Sequence, residues 1–480
     1  MRCLLLLFLF AASILEAAYR PNVLFIMADD FRPELGCYGS PAHTPHLDRL
    51  AAQGLRFNRA YCQQAVCNPS RSSLLTGRRP DTLRIWNNSV HFREPNPEVT
   101  TLPGWFKQHD YTTRCVGKIF HNWHTAVKGD RPSWSADEFL HYANHGNDTA
   151  QIPSPLPTNF ATLNQNRGYR ENGLCECRDV PDEAYYDGRV AAEAIRVLTE
   201  VKEQPFFLAV GFWKPHAPFN APKKYWDLYD RTKLPALDAR RPQGAPDIAF
   251  HQSTEILGPP AKQTPVSNEQ AAEMRHGYLA NISYMDAQIG KVLDALLQSG
   301  VAERTIIVFF ADHGYHVGEH SLWGKTSNFE FDAHVPLLIR APQSGVQGQA
   351  TPALAELVDL FPTLAELCGL PQPDGLDGTS LASIVRGEKS AVKAAAYTQH
   401  PRPAYYDREP GGQPKTMGYS VRTDQVRYTE WRDWKTKAIV ARELYLTERD
   451  PAETINQVDQ ADHARDLAKA EKLLLEKFPR

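Results

Sequence analysis

Several apolar runs in the chain end abruptly in polar residues that can carry chemistry. These runs are Asn22–Ala28, Tyr111–Val116, Pro205–Phe212 and Thr305–Ala311. Near-continuous runs rich in Val, Ile and Phe predict strands that are buried on both faces, as in a mostly parallel sheet. Helical patterns lie between them, for example at Asp187–Lys202 and Asn268–Ser299. This alternation of strands and helices predicts an α/β sandwich.

The residues that follow these runs predict a site at one edge of the sheet. The four strand ends are followed by Asp29 and Asp30, by Lys118 and His121, by Lys214 to His216, and by Asp312 and His313. In open α/β sheets, ligands bind at the carboxyl ends of the strands. Four strand ends that deliver Asp, Lys and His to one edge therefore predict an active site.

The remaining segments predict long loops and a smaller C-terminal unit. Arg131–Asp182 and Leu234–Pro265 have little periodicity, which is typical of loops that shape a pocket. In the last quarter of the chain, short polar strands precede an amphipathic helix at Asp462–Phe478. We therefore predict a catalytic domain at 19–370 and a C-terminal α+β subdomain at 371–480.

The N-terminus has the pattern of a secretory signal. A short charged start precedes an apolar run from Leu4 to Leu15 and small residues up to Ala18, where we expect cleavage. The run is too short to span a bilayer comfortably, so we predict no membrane anchor. We expect a signal peptide at 1–18 and a periplasmic or secreted protein, or one of a lysosomal-type lumen in a eukaryote.

Composition and charge narrow the function. A chain of 480 residues is long enough for one large domain and a smaller one. Its formal net charge of −3 argues against a nucleic-acid binder but permits a local basic pocket. Among the 8 cysteines, an oxidising compartment would permit disulfides, and the sequence does not settle their pairing.

The stretch from Cys67 to Gly77 is the most informative local pattern. Pro69 favours the first turn of a helix and Gly77 is a suitable stop, so Cys67 is predicted to begin a helix. Free backbone N–H groups at that position favour an anion. A buried cysteine before an ordinary helix is the alternative interpretation.

The pattern Cys-x-Pro-Ser-Arg followed by Leu-Thr-Gly resembles the signature of the type I sulfatases. In that family, a formylglycine-generating enzyme oxidises the cysteine, here Cys67, to formylglycine, and its hydrate is the nucleophile. Several segments are most similar to the iduronate 2-sulfatase branch: 63–67, 76–82, 117–121, 214–216 and 327–329. The resemblance implies an alkaline-phosphatase-like α/β sandwich. It would have a large, mostly parallel mixed sheet and a smaller C-terminal antiparallel sheet with a helix.

The carboxylates at the strand ends predict a metal site. Asp29, Asp30 and Asp312 supply hard oxygen ligands suited to Ca²⁺ or Mg²⁺. The resemblance implies one divalent ion, usually calcium, that also contacts the residue derived from Cys67. His313 stands where many sulfatases carry Asn or Gln, and imidazole is a less natural ligand for a hard cation. The Asp-His-Gly sequence at this place is similar to the iduronate 2-sulfatase branch, and His313 completes the predicted metal ligands.

The resemblance also implies roles for the catalytic candidates. Arg71 would hold the modified residue or the ion shell, and Lys118 and Lys325 would grip sulfate oxygens as charge builds on them. His121, three residues after Lys118, would hydrogen-bond the formylglycine hydroxyl. His216, with a pKa near neutrality, would donate a proton to the leaving alkoxide.

The expected substrate is a sulfated carbohydrate. The resemblance favours a 2-O-sulfated uronic acid of a glycosaminoglycan or an algal polysaccharide. Tyr315, His320 and Trp323 flank the predicted site and are candidate sugar contacts, or alternatively packing residues.

Two other functions compete with this interpretation. A phosphatase or phosphonate monoester hydrolase of the same superfold would commonly use two metals, whereas this chain has lysines where a second metal would need carboxylates. A non-catalytic carbohydrate-binding relative would be expected to lose Cys67, Lys118 or His216, and all three are present.

Overall fold

The computed structural model describes residues 20–121, 125, 127–139, 174–235, 237–342, 344–406 and 412–480. The predicted signal peptide at 1–18 lies outside these residues, and so does most of the predicted loop at 131–182. None of the helices in the described ranges combines the length and the apolar character needed to cross a membrane.

The strands form one large sheet, one small sheet and two short ribbons. In chain order they are β1 (Asn22–Asp29), β2 (Leu55–Tyr61), β3 (Thr112–Gly117), β4 (Cys175–Arg178), β5 (Phe206–Pro215), β6 (Phe219–Pro222), β7 (Thr305–Ala311), β8 (His316–Val317), β9 (Trp323–Gly324), β10 (His334–Arg340), β11 (Gln349–Glu356), β12 (Ala396–Arg402), β13 (Thr416–Arg422), β14 (Arg427–Asp433) and β15 (Ile439–Tyr445).

The large sheet has the strand order β11-β2-β10-β7-β1-β5-β3. Strand β1 pairs in parallel with both β5 and β7, and β3 pairs in parallel with β5. Among the described strands of this large sheet, only β10 runs antiparallel to both of its neighbours, β2 and β7. The large sheet is therefore mixed but mostly parallel. The carboxyl ends of β1, β3, β5 and β7 therefore meet at one edge.

The centre of the large sheet is apolar on both faces. Every residue of β1 and of β7 is buried, and Phe25 lies 4.8 Å from Phe310 and 5.5 Å from Phe207 between ring centroids. Burial on both faces requires helices on both sides, which explains why these strands read as continuous apolar runs.

Helices cover the large sheet in two groups. The helices are α1 (Pro45–Gln53), α2 (Cys67–Thr76), α3 (Pro80–Leu83), α4 (Leu102–Gln108), α5 (Tyr186–Val201), α6 (Lys223–Trp226), α7 (Thr254–Leu257), α8 (Asn268–Gln298), α9 (Glu330–Ala333), α10 (Leu360–Leu367), α11 (Ala382–Val385) and α12 (Ala464–Lys477). Helix α8 packs against α1 and α5, whereas α2 packs against α4 and α10. The result is the alkaline-phosphatase-like sandwich that the sequence predicted.

The small sheet is antiparallel, with the order β12-β13-β14-β15, and helix α12 packs on it. Its separate core includes Tyr428, Leu444 and Leu474. It adjoins the large sheet, since the backbone N–H of Gln399 donates to the carbonyl of Gln63 over 2.8 Å. The predicted antiparallel sheet and helix near the C-terminus are thus present.

Both predicted loops contain some regular structure: α7 lies within 234–265, and a strand lies within 131–182. Within 131–182, the residues of β4 pair in parallel with β6, beginning at Cys175 and Phe219. The polar sequence of β4 has no strand periodicity of its own, so its conformation depends on a partner 44 residues away in sequence, which local pattern does not reveal.

Candidate active site

The carboxyl edge of the large sheet brings most of the predicted residues into one buried cluster. The Sγ atom of Cys67 lies 3.5 Å from Asp29 Oδ1, 3.5 Å from His313 Nε2 and 3.7 Å from Lys118 Nζ. The backbone N–H of Asp30 donates to Asp312 Oδ1 over 3.3 Å. Three strand ends and the start of α2 therefore converge on the side chain of Cys67.

Cys67 is the first residue of α2, as the sequence predicted. Val66 before it is extended, and Gly77 ends the helix with a φ of 66°, a left-handed conformation that glycine adopts without strain. Burial raises the pKa of the Cys67 thiol to about 12, and the neighbouring carboxylate of Asp29 adds to this rise. An unmodified Cys67 would therefore be a protonated thiol at neutral pH, which is a weak nucleophile.

The acidic residues form a set of donors that fits a divalent cation. Ligand atoms of Asp29, Cys67, Asp312 and His313 all lie within 4.8 Å of one another, and all four residues are buried. Asp30 faces the same cluster, with its Oδ1 at 3.4 Å from His313 Nε2. Carboxylate oxygens are the ligands that Ca²⁺ and Mg²⁺ prefer.

The pKa of Asp30 reflects the cost of burying its carboxylate. Burial raises this pKa well above its ordinary value and Asp29 adds to the rise, although Lys325 opposes it. A cation beside these carboxylates would remove this cost of burying them. The Nδ1 atom of His313 contacts the carbonyl of Gly314 at 3.0 Å, which leaves Nε2 facing the carboxylates.

Arg71 holds two of the carboxylates from behind. Its Nε donates to Asp312 Oδ2 over 2.7 Å, its Nη2 lies 3.5 Å from Asp29 Oδ1, and its Nη1 donates to the carbonyls of Lys118 and Ile119. Arg71 and both carboxylates are fully buried. Arg71 thus contacts the predicted ion shell.

Lys118 follows β3 directly and points into the cluster. Its Nζ forms a short ion pair with Asp29 Oδ2 and lies 4.4 Å from the ring centroid of Trp213. His121 is also buried, in the segment after Lys118. No helix is formed here, since Lys118 and His121 lie in a bend after the strand, and the role predicted for His121 stays a prediction.

Lys325 and His216 form a second group around Asp30. The Nζ of Lys325 lies 2.9 Å from both oxygens of Asp30, 2.9 Å from Glu255 Oε1 and 3.1 Å from His216 Nε2. The Nε2 of His216 also lies 3.4 Å from Glu255 Oε1. The Nδ1 of His216 contacts the carbonyl of Ala217 at 2.6 Å, so Nε2 is the nitrogen that faces the site.

The expectation of a near-neutral pKa for His216 is wrong for the structure as described. Burial lowers this pKa well below its ordinary value, and the positive charge of Lys325 lowers it further. Sequence reasoning missed this because it shows neither the burial of the ring nor the approach of Lys325, which is 109 residues away in the chain.

The three candidate sugar contacts do not share one surface. Tyr315 is fully buried and stacks on Tyr278 with ring centroids 5.8 Å apart. His320 has both ring nitrogens occupied, by His316 at 3.4 Å and by the carbonyl of Ala452 at 2.7 Å. For Tyr315 and His320 the packing alternative is therefore favoured.

Trp323 lies elsewhere, in the wall of a separate cavity of about 770 Å³. That cavity is also lined by Leu237, Leu257 and Arg275. None of the proposed metal ligands or lysine clamps is among its lining residues, so we do not retain Trp323 as a contact of the reacting sugar.

Glu255 and Tyr405 are site residues that sequence reasoning missed. Glu255 lies in the single-turn helix α7, and its Oε2 accepts a hydrogen bond of 2.7 Å from the Tyr405 hydroxyl. The prediction of pocket-shaping loops at 234–265 was the available signal. It gave no reason to choose Glu255, since a lone Glu in a polar loop has no distinctive spacing.

The cysteines that the structure describes are all free thiols: Cys37, Cys62, Cys67, Cys115, Cys175, Cys177 and Cys368. Those other than Cys67 are absent from the predicted metal cluster.

Solved structures share this fold across almost the whole chain. The phosphonate monoester hydrolase of Agrobacterium radiobacter has a TM-score of 0.77 and 24% identity, covering 95% of both chains. A protein solved in complex with its substrate D-glucosamine-2-N,6-O-disulfate has a TM-score of 0.74 and 21% identity, covering 95% of this chain and 97% of that chain. These likenesses show that the chain shares the fold of these proteins.

Sequence relatives identify the family. The family model described as Sulfatase matches residues 21–370, and the one described as N-sulphoglucosamine sulphohydrolase, C-terminal, matches residues 318–478. The iduronate 2-sulfatase of Mus musculus is 33% identical over 92% of this chain and 91% of its own length. The chain belongs to the sulfatase family and is a sulfuric ester hydrolase.

Proposed function

We propose that this sulfatase hydrolyses a sulfate ester on a carbohydrate, using a formylglycine formed from Cys67 and one divalent cation, Ca²⁺ or Mg²⁺. The observation that carries the proposal is the position of Cys67. Cys67 is the first residue of helix α2. Its Sγ atom lies within 3.7 Å of side-chain atoms of Asp29, His313 and Lys118. One buried site would therefore combine a nucleophile, a helix N-terminus that favours an anion, and ligands for a cation.

The match of residues 21–370 to the sulfatase family model supports modification of Cys67. With a pKa of about 12, the native side chain would carry almost no thiolate at neutral pH. Formylglycine, when hydrated, supplies a hydroxyl nucleophile that does not depend on a thiolate. We propose that a formylglycine-generating enzyme acts on Cys67 during maturation.

Five residues would hold the metal: Asp29, Asp30, Asp312, His313 and the residue derived from Cys67. When bound, the cation supplies positive charge that favours the ionised nucleophile and neutralises the ester oxygens. The distance of 3.4 Å between Asp30 Oδ1 and His313 Nε2 supports a common centre for these two residues.

The cationic side chains would orient the sulfate group. Lys118 and Lys325 place their ammonium groups on two sides of the carboxylate cluster, where they can bind ester oxygens that gain charge. Arg71 forms ion pairs with Asp29 and Asp312 and so holds both carboxylates in place.

His216 would protonate the leaving sugar oxygen through Nε2. Because burial and Lys325 lower the pKa of this imidazole, Nε2 would first take up a proton, and Lys325 Nζ lies 3.1 Å away as a donor. The contact of His216 Nδ1 with the Ala217 carbonyl fixes the ring so that only Nε2 faces the site. Glu255 and Lys325 lie on either side of this nitrogen. His121 is proposed to contact the formylglycine hydroxyl.

For the substrate we propose a 2-O-sulfated uronic acid of a glycosaminoglycan or an algal polysaccharide. The support is the identity of 33% with iduronate 2-sulfatase over 92% of this chain, which includes the nucleophile, lysine and histidine segments. We also propose export through the signal at 1–18 and the two domains at 19–370 and 371–480.

Mass spectrometry of the peptide around Cys67 tests the proposal. Protein co-expressed with a formylglycine-generating enzyme should show the aldehyde or its hydrate, and should release sulfate from 2-O-sulfated uronate oligosaccharides. Activity should need Ca²⁺ or Mg²⁺ after chelation, and a Cys67→Ala variant should be inactive. Full activity in protein that carries only the unmodified thiol would contradict the nucleophile, and release only from sulfated glucosamine would contradict the substrate.

A further inference from the structure

The carboxylate of Glu255 is buried in the site but belongs to neither the nucleophile nor the metal cluster. Its Oε1 lies 2.9 Å from Lys325 Nζ and 3.4 Å from His216 Nε2, while Oε2 is bound to Tyr405 at 2.7 Å. The side chain is 15% exposed, compared with 2% for Lys325. Glu255 therefore lies on the open side of the two groups that would meet the ester.

Glu255 sets the sign of the formal charge in the site. The ionisable side chains in mutual contact are four carboxylates, Asp29, Asp30, Asp312 and Glu255, and three cations, Arg71, Lys118 and Lys325. As formal charges, with the imidazoles left out of the count, they sum to one net negative charge. A bound divalent cation would change the net formal charge of the site from −1 to +1. This charge would balance the single negative charge of a sulfate monoester.

The nearest charged residues outside this set do not alter the balance. Asp187 and Lys214 are both buried and attract each other, and Asp187 also accepts hydrogen bonds of 2.8 Å from the backbone of Trp213 and Lys214. Arg32 is paired with Glu319 at 3.0 Å. Glu255 is thus the carboxylate that decides which ligand charge the described site matches.

We propose that Glu255 is a specificity-determining residue, which matches the site to monoanionic sulfate esters and disfavours dianionic phosphate monoesters. This inference rests on the proposed function, because it counts the bound cation. A dianion in the same place would leave one negative charge uncompensated in a buried site, and such a charge is costly. The lowered pKa of Glu255, caused chiefly by Lys325 and then His216 against the effect of burial, agrees with an ionised carboxylate.

Removing the charge of Glu255 should therefore favour dianions. Coulomb attraction grows with the charge of the ligand, so loss of one neighbouring negative charge helps a dianion about twice as much as a monoanion. Glu255→Gln keeps the size and the hydrogen bond to Tyr405. Glu255→Asp keeps the charge and changes the geometry, and Tyr405→Phe keeps the charge and removes the hydrogen bond.

The test compares two tetrahedral probes that differ by one charge and that the site cannot hydrolyse. Methanesulfonate and methylphosphonate are titrated into the Ca²⁺-loaded, formylglycine-bearing protein by calorimetry, at a pH where methylphosphonate is a dianion. We expect the wild type to bind methanesulfonate more tightly. We expect Glu255→Gln to shift the ratio of dissociation constants by about tenfold or more towards methylphosphonate.

The controls separate charge from shape. Glu255→Asp and Tyr405→Phe should keep the wild-type ratio, since both retain the negative charge. An unchanged ratio in Glu255→Gln would overturn the inference, and so would an equal shift in either control. If Glu255→Gln does not fold, Glu255→Ala is titrated in its place, and an unchanged ratio there would refute the inference. Tighter binding of methylphosphonate by the wild type would also refute the charge match. Failure of the proposed function would appear separately, as an unmodified Cys67 or as sulfate esters left intact.

Discussion

Replacement of Arg71 by methionine tests whether the site depends on buried charge compensation. Methionine fills a similar volume without a charge or a donor. The variant would remove the ion pair of 2.7 Å with Asp312 and the contact of 3.5 Å with Asp29, together with the bonds to two backbone carbonyls. Asp29 would keep Lys118 as a partner, but Oδ2 of Asp312 would lose its cationic partner.

The expected loss in the metal-free protein is large. All the side chains involved are fully buried, and removal of one member of a buried ion pair costs about 3–5 kcal/mol. Saturating Ca²⁺ should recover part of this loss, because a cation beside Asp312 replaces the missing positive charge. The variant should therefore gain more stability from Ca²⁺ than the wild type does.

Urea unfolding with and without Ca²⁺ measures both quantities. The matched control is Arg49→Met, which breaks an exposed ion pair of 2.6 Å with Asp294. Exposed pairs contribute about 1 kcal/mol or less, and this one should not respond to Ca²⁺. If Arg71→Met lost no more stability than Arg49→Met, the assignment of Arg71 to buried charge compensation would be refuted.

Two further predictions concern proton transfer and acid stability. His216→Gln should lower kcat for sugar sulfates by about 10²–10⁴-fold. The loss should be much smaller for an aryl sulfate, because its leaving group needs no proton. Equal losses for both substrates would argue against His216 as a proton donor. Burial alone would raise the pKa of Glu356, but Arg79 and Lys393 lower this pKa from 4.5 to about 2. The ionised Glu356 therefore stabilises the folded protein above pH 4.5, and this stabilisation is lost as the pH falls towards 2. In urea unfolding, Glu356→Gln should remove about 3 kcal/mol of the pH-dependent part of the free energy of unfolding. If the variant lost stability between pH 4.5 and pH 2 as the wild type does, the stabilising ion pairs of Glu356 would be contradicted.

The strand ends were predictable because burial leaves a local pattern. Asn22–Ala28 and Thr305–Ala311 read as strands from their apolar residues alone, and both are strands of the large sheet. Parallel pairing then places Asp29 and Asp312 at the same edge, without further information. The helix that begins at Cys67 was equally local, since Pro69 and Gly77 mark its two ends.

Residues whose position depends on tertiary packing have no recognisable local sequence pattern. Glu255 and Tyr405 are 150 residues apart in the chain, and both lie in irregular or single-turn segments. The sequence left His320 open as a sugar contact or a packing residue, because nearness in sequence to Asp312 says nothing about the direction of its ring. In the structure, that ring is held by His316 and Ala452.

The chain by itself determined the class of fold, the position of the proposed nucleophile and the set of charged residues, because these depend on periodicity and on a short contiguous motif. Only the tertiary structure decided which charges face one another: Arg71 against Asp312, and Glu255 between Lys325 and His216. Electrostatic energy depends on distance and burial, and neither quantity is written in the spacing of residues along the chain.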